Sequence, residues 1–205
     1  YEFHQVYHRI LAFCTVTLSN TYFDIIRDRL YCNETPEHPR NDELGKERMS
    51  SLSALKIIFE SLLVWIAPVL SFTAEEIHQL YNPEKSVFEL LWPETDRWKN
   101  DKLASKYEKL REVKDNVNAM LEVARARQVI KASLESMVIM PEAILKESGF
   151  SAEEMAFYLV VSEVRTKSGG EIDVMKSDRS KCVRCWVYRD LDERQLCARC
   201  VKAVG

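Results

Sequence analysis

The sequence is poor in the residues that allow tight turns, with five glycines and six prolines among 205 residues. An all-β fold needs many such turns, so this scarcity favours helices. Hydrophobic residues make up 46% of the chain and charged residues 30%, a balance typical of a folded globular protein. The length predicts one full-sized domain with a small appendage.

Long uncharged apolar runs are also missing. The longest candidate, Ile57 to Phe72, is interrupted by Glu60 and Pro68, whereas a membrane-spanning helix needs about 20 predominantly apolar residues. We therefore expect no membrane contact. The chain opens on Tyr1 without the basic start and apolar core of a signal peptide, so we expect it to be part of a longer protein.

The cysteines are not spread through the chain as they would be in a disulfide scaffold. Two are isolated, Cys14 and Cys32, and four fall within nineteen residues near the C-terminus. Clustered pairs are typical of a metal site in a reducing compartment, which predicts a cytoplasmic protein.

Charge is unevenly divided along the chain. From Lys176 onward there are eight Lys/Arg against four Asp/Glu, a net charge of +4, which leaves −7 for the rest of a chain whose total is −3. Any binding to phosphate groups would therefore be local to this tail.

Apolar residues recur at steps of three and four in four segments, the pattern of amphipathic helices. These segments are Phe3 to about Leu30, Glu43 to Ile66 (ended by Pro68), a short helix opened by a Thr73–Glu76 capping box, and Asp101 to about Ile130. A polar stretch with two prolines, Asn33 to Asp42, separates the first two. Such stripes can be buried against one another, so the sequence predicts a mainly α fold built on an antiparallel helix bundle.

A different pattern follows Lys131. Short apolar runs at 137–140 and 158–164, a Ser151–Glu154 capping-box spacing and an alternating stretch at 171–175 predict a small α/β module. Gly169-Gly170 is typical of a hairpin turn or a joint before the tail. The predicted domains are a bundle at 1–130, an α/β junction module at 131–176 and a cysteine knuckle at 177–205.

The knuckle is the most specific motif. Its spacing is Cys-x2-Cys-x11-Cys-x2-Cys, formed by Cys182, Cys185, Cys197 and Cys200. Each pair can turn two sulfurs to one side, and two pairs make the tetrahedral set that Zn²⁺ prefers. Four thiolates leave no open position, so one structural zinc is predicted. Two redox pairs, or a disulfide-linked hairpin, are the alternatives.

Aromatic and basic residues surround these ligands. Trp186 and Tyr188 follow the second cysteine, and Trp186 is either the knuckle's own core or an exposed platform for stacking bases. Lys181, Arg184 and Arg199 lie beside the ligands, where they can offset the −2 charge of zinc with four thiolates or contact phosphate.

Several runs resemble the class I aminoacyl-tRNA synthetases. Phe13-Cys14-Thr15-Val16 and the run from Tyr22 to Tyr31 look like the opening helix of their anticodon-binding domain, and the run from Ala67 to Glu76 is similar to a later helix junction. The segment from Ala124 to Glu135 and the knuckle, with Cys182-Val183-Arg184-Cys185-Trp186 and Cys197-Ala198-Arg199-Cys200, resemble the isoleucyl branch.

The resemblance implies the tRNA-binding part of an enzyme that joins isoleucine to its tRNA with ATP. It implies that Trp186 stacks at the anticodon loop. Lys181, Arg184, Tyr188 and Arg199, which lie beside the cysteines and Trp186, are the further candidate RNA contacts. Implied partners are tRNA and the parent's catalytic and editing domains, in a monomer.

Catalytic signatures are absent from the sequence itself. No His-x-Gly-His motif exists, and Arg48-Met49-Ser50-Ser51-Leu52 lacks the second lysine of Lys-Met-Ser-Lys-Ser. His4 and His8 are spaced like ligands on a zinc-protease helix, but Gln5 stands where that motif needs glutamate. Two alternatives from other classes are a DNA-binding zinc finger of a glycosylase-like protein and a helical interaction module with a structural zinc.

Overall fold

The computed structural model describes residues 2–33 and 42–205. The chain divides into two compact units. The first contains the described residues within Tyr1–Leu30 and Arg40–Lys99, and the second contains those within Tyr31–Pro39 and Asn100–Gly205. The predicted mainly α fold with a small sheet and a cysteine cluster is confirmed.

The N-terminal segment is helical from Phe3 to Cys32, as its stripe predicts. It consists of α1 (Phe3–Ala12), a π-helical segment (Phe13–Phe23) and α2 (Asp24–Cys32). The π-helical segment was not predicted; within it, Thr21 Oγ1 donates to the carbonyl of Val16, 3.2 Å away. Apart from Asn33 and Asp42, the proline-bearing stretch that follows lies outside the described residues.

Helix α3 (Glu43–Ile66) has the predicted bounds. Asp42 caps its first turn by accepting from the Gly45 N–H at 3.3 Å, and the helix ends two residues before Pro68, which has no N–H to continue it. Helix α4 (Ser71–Tyr81) follows directly. The two helices and a 3-10 turn (Val87–Glu89) enclose the core of the first unit, formed by Leu63, Ala67, Ala74 and Val87.

The predicted Thr73–Glu76 capping box is wrong. Helix α4 begins two residues earlier, at Ser71, because the chain turns straight out of α3, and no side chain caps its N-terminus. The neighbouring Glu75 instead joins α4 to the turn that follows it. Its carboxylate accepts from the Val87 N–H at 2.8 Å and from Ser86 Oγ at 2.9 Å.

Among the described residues, α3 is long and apolar enough to cross a membrane by length and composition alone. Glu60 and Pro68, which led us to expect no membrane span, therefore do not prevent α3 from meeting these two criteria. A single such helix is weak grounds for a span, and α3 contributes Leu63 to the core of the first unit.

The second unit is built on α5 (Asp101–Ala126) and a three-stranded sheet. Its strands are β1 (Ser136–Pro141), β2 (Glu163–Lys167) and β3 (Asp173–Lys176), in the order β2-β1-β3. Strand β1 pairs in parallel with β2 and antiparallel with β3, so that Val138 lies between Val164 and Val174. Helix α5 packs against β3 and α6 (Glu142–Ser148).

Two features of the junction differ from expectation. The apolar run at 158–164 is divided between α7 (Ala152–Leu159) and the start of β2, and the Ser151–Glu154 capping box that opens α7 is confirmed. Gly169-Gly170 does not close a hairpin, because β2 and β3 lie on opposite sides of β1. The glycines instead form a joint in the longer connection that carries the chain across the sheet.

The knuckle ends the chain. It contains a two-stranded ribbon, β4 (Ser180–Lys181) with β5 (Tyr188–Arg189), and the C-terminal helix α8 (Ala198–Val204).

Candidate metal centre and its basic surroundings

Four buried sulfurs meet in the knuckle. The Sγ atoms of Cys182, Cys185, Cys197 and Cys200 all lie within 4.8 Å of one another, and the Cys185–Cys197 pair is 3.7 Å apart. Metal–sulfur bonds of about 2.3 Å in a tetrahedron require sulfur–sulfur distances of about 3.8 Å. This set could therefore hold a metal ion with little rearrangement.

Local hydrogen bonds explain why the sequence folds this way. In the first turn the Cys182 N–H donates to the Val187 carbonyl at 3.0 Å, and the Trp186 N–H donates back to the Cys182 carbonyl at 2.9 Å. In the second turn Cys197 stands at the N-cap of α8, which places Cys200 in the first turn of that helix. The Cys197 N–H also donates to Cys182 Sγ at 3.4 Å, which joins the two turns.

The pKa values of the four cysteine thiols are shifted in opposite directions. Burial would raise the pKa of Cys182, but N–H groups of Cys185, Cys197 and Arg184 donate to its sulfur and lower it. The hydrogen bond between Cys185 and Cys197 raises the pKa of Cys185 and lowers that of Cys197. A bond with Cys185 lowers the pKa of Cys200, but the bond with Cys197 and burial outweigh it and raise the pKa to about 11. The environment thus lowers the pKa of Cys182 and Cys197 and raises that of Cys185 and Cys200.

The knuckle has an apolar core that excludes its tryptophan. Val187, Leu191, Leu196 and Cys32 pack against the four cysteines, whereas Trp186 is 56% exposed. Of the two roles left open by the sequence, the structure therefore places Trp186 on the surface.

Trp186 has an unusual backbone as well as an exposed ring. Its φ of 66° lies in the left-handed region, which bulky residues rarely adopt. Lys181 Nζ lies 5.3 Å from the ring centroid, within the range of a cation–π contact. The result is an exposed aromatic face bordered by a positive charge.

Arg184 bonds within the chain. Its guanidinium donates to the carbonyls of Cys32 and Tyr31, the latter at 3.3 Å, and lies 3.8 Å from Cys200 Sγ. These contacts match the charge-compensating role predicted beside the sulfurs. They also fasten the knuckle to residues 31–32 of the second unit.

The other two candidate RNA contacts are partly buried. The Tyr188 N–H donates to Ser162 Oγ at 2.7 Å, and burial together with the Glu135 carboxylate raises the pKa of the Tyr188 phenol. Arg199 lies in the first turn of α8, between the two ligands of the second pair. Neither residue shares the exposed setting of Trp186 and Lys181.

An open cleft of about 850 Å³ lies beside the ribbon. Its lining includes four basic residues and two acidic ones: Arg165, Arg179, Lys181, Arg189, Asp178 and Asp190. The predicted site included only Lys181 from this group. Arg165 was not predicted as a site residue because it belongs to β2, and only the fold brings it close to the tail. Arg179 and Arg189 entered the sequence analysis only as part of the net charge of the tail.

The chain is similar in sequence to known proteins. Residues 1–140 match the family model described as the anticodon-binding domain of tRNA ligase. The chain is 33% identical to an isoleucine–tRNA ligase of Caldicellulosiruptor bescii, over all of the chain and 23% of that protein. The corresponding enzyme of Teredinibacter turnerae is 34% identical over all of the chain and 24% of its own length. That of Pelagibacter ubique is 36% identical over 91% of the chain and 20% of its own length.

The chain thus spans about a quarter of the length of the curated relatives it matches. The family model covers two thirds of the chain, and similarity to the ligases continues beyond it through the knuckle. The chain belongs to the anticodon-binding domain family of tRNA ligases.

Proposed function

We propose that this chain is the part of an isoleucine–tRNA ligase that binds the anticodon stem and loop of its tRNA. One observation carries the proposal: similarity to isoleucine–tRNA ligases extends over the whole chain, including the knuckle that lies outside the family model. The attachment of isoleucine with ATP would take place elsewhere in the parent enzyme. We expect that enzyme to be a cytoplasmic monomer that does not contact membranes.

One Zn²⁺ would be held by Cys182, Cys185, Cys197 and Cys200. The choice of zinc is supported by four sulfur donors at nearly tetrahedral spacing. Because all four positions would be protein ligands, the ion would have a structural role. A knuckle of about 30 residues has too small a core to fold alone, and zinc supplies about 10–16 kcal/mol in zinc-finger peptides.

The RNA would meet the knuckle through its exposed aromatic face. Trp186 offers a surface on which an unpaired base of the anticodon loop can stack, and Lys181 beside it can contact the adjoining phosphate. With the −2 charge of the zinc site, the tail keeps about +2, so the attraction to phosphate would be modest. Arg199 and Tyr188 remain candidates for weaker, peripheral contacts.

Arg184 would act indirectly. Its guanidinium donates hydrogen bonds to the carbonyls of residues 31 and 32 and lies close to Cys200 Sγ. We infer that it positions the knuckle and offsets sulfur charge, and that it makes no phosphate contact of its own.

The test compares the full-length enzyme with a version that ends before residue 177, using isoleucine tRNA and the same tRNA with an exchanged anticodon. We expect truncation to weaken binding at least 10-fold and to reduce discrimination between the two tRNAs. Unchanged affinity and discrimination would contradict the proposal. Equally tight binding to duplex DNA would favour the zinc-finger alternative, and absence of any nucleic-acid binding would favour the helical interaction module.

A further inference from the structure

A second cavity lies in the first unit, away from any residue assigned above. It has a volume of about 300 Å³ and is bounded by α3, α4 and the chain that follows α4. Part of the cavity wall is apolar and is formed by Leu63, Val64 and Leu90. The rings of Tyr81 and Trp98 also line the cavity. This size and mixture are at the lower end of the range found for small-molecule pockets.

One buried polar group lines this cavity without a bonding partner. His78 is 3% exposed, and its Nε2 atom makes no hydrogen bond to any of the residues that the structure describes. Nearly all buried polar side chains in native proteins are hydrogen-bonded, so an exception needs a cause. The imidazole nitrogen offers a ligand one donor or one acceptor in a wall of mixed apolar and polar side chains.

Two aromatic side chains of the lining are held by contacts within the first unit. Tyr81 Oη donates to Glu60 Oε1 at 2.9 Å, and the Tyr81 ring meets Phe59 edge-on, with 5.7 Å between ring centroids. The Arg97 guanidinium carbon lies 5.0 Å from the Trp98 ring centroid. The two aromatic side chains are thus held in place, and His78 Nε2 is a buried polar atom of the lining without a partner among the described residues.

We propose that this cavity binds a flat heteroaromatic molecule of one or two fused rings with a ring nitrogen that bonds to His78 Nε2. Aromatic rings pack favourably against Tyr81 and Trp98 in offset or edge-on geometry. The ring nitrogen of such a ligand supplies the hydrogen bond that the protein does not.

The probe is benzimidazole, whose two ring nitrogens present one donor and one acceptor, and its control is indene, the all-carbon molecule of the same shape. We would follow the His78 ring signals and the Trp98 indole signal by NMR during titration of the chain. We expect saturable shifts with benzimidazole and an affinity at least fivefold above that of indene.

Variants separate a ligand site from a packing defect. His78→Phe, which keeps a ring without nitrogen, should lower benzimidazole affinity at least fivefold, and His78→Trp should abolish binding by filling the space. His78→Gln, which keeps a polar group, should stay within threefold and serves if the phenylalanine variant fails to fold. His4→Phe, on an exposed helix face, is the matched control and should change nothing. Equal binding of both probes, equal binding by His78→Phe, or no saturable shift would each overturn the proposal.

Discussion

At the scale of single residues, the four cysteines could be predicted and their neighbours could not. A Cys-x2-Cys turn is local, so its spacing predicts the position of both sulfurs. The partners of Arg184 lie about 150 residues away along the chain, so no local sequence pattern predicts them. For the same reason the sequence left the exposure of Trp186 open until the fold showed that Val187, Leu191 and Leu196 form the core.

The contacts of Arg184 and Lys181 give opposite expectations for salt dependence. Arg184→Met should lower the free energy of unfolding of the second unit by about 1–3 kcal/mol, because the carbonyl groups of Tyr31 and Cys32 lose a charged donor. The salt dependence of tRNA binding should stay as it is. Lys181→Met should leave unfolding nearly unchanged and reduce the slope of log affinity against log salt by about one, through loss of a phosphate contact.

Salt titrations of tRNA binding by the full-length enzyme, with urea unfolding of each variant, check both expectations. A flattened slope for Arg184→Met would return this residue to the RNA surface. An unchanged slope for Lys181→Met would show that Lys181 makes no phosphate contact, and the arginines of the neighbouring cleft would then be the candidates.

At the scale of secondary-structure elements, periodicity was a good guide to helices and a poor one to their joints. The bounds of α3 follow from its stripe, Asp42 and Pro68. The start of α4 was misplaced because the first turn needs no capping side chain when the chain enters directly from the preceding helix. The order β2-β1-β3 depends on pairing between distant segments, so Gly169-Gly170 was compatible with either a hairpin or a joint.

Glu75 supplies an acid-sensitive link between α4 and the turn at Val87–Glu89. The Val87 N–H lowers the pKa of the Glu75 carboxyl, and bonds from Gln79 and Ser86 lower it further. A carboxyl whose folded pKa is depressed stabilises the fold above its unfolded pKa, and that contribution is lost as pH falls through the folded value. Stability of the first unit should therefore decrease on acidification below about pH 5.

Glu75→Gln isolates this contribution. The variant should have a lower Tm than the wild type near neutral pH, and the two values should converge as the pH falls through the lowered pKa of Glu75. Glu76→Gln, an exposed neighbour on the same helix, is the control and should follow the wild type throughout. Thermal unfolding at a series of pH values decides the matter; a constant Tm difference between wild type and Glu75→Gln would contradict the linkage.

At the scale of the whole molecule, the described chain consists of two units, and α5 belongs with the sheet and the knuckle. The three domains expected from the sequence, 1–130, 131–176 and 177–205, remain predictions. Helical stripes reveal which residues need covering but not which element covers them. Long-range grouping of this kind depends on contacts such as that between Lys114 Nζ and the Tyr158 carbonyl, 2.8 Å apart.

Removal of metal should affect the knuckle alone. Leu63 of α3 and Leu110 and Val117 of α5 are buried outside the cysteine cluster. Chelation should therefore leave the far-UV helical signal nearly intact while residues beyond 177 become sensitive to protease. Metal analysis should find one zinc per chain before chelation, and Cys14→Ser, outside the cluster, should match the wild type. Cooperative loss of all helical signal on chelation would contradict this independence.

The most direct test of the central claim is tRNA binding by Trp186→Ala in the full-length enzyme, at matched zinc content. Lost stacking should weaken binding by about 1–3 kcal/mol, roughly 5- to 150-fold, with little change in salt dependence. Trp186→Phe, which keeps a smaller ring, should fall between the alanine variant and the wild type. Equal affinity of the wild type and Trp186→Ala, both loaded with zinc, would show that the exposed tryptophan does not read the anticodon loop.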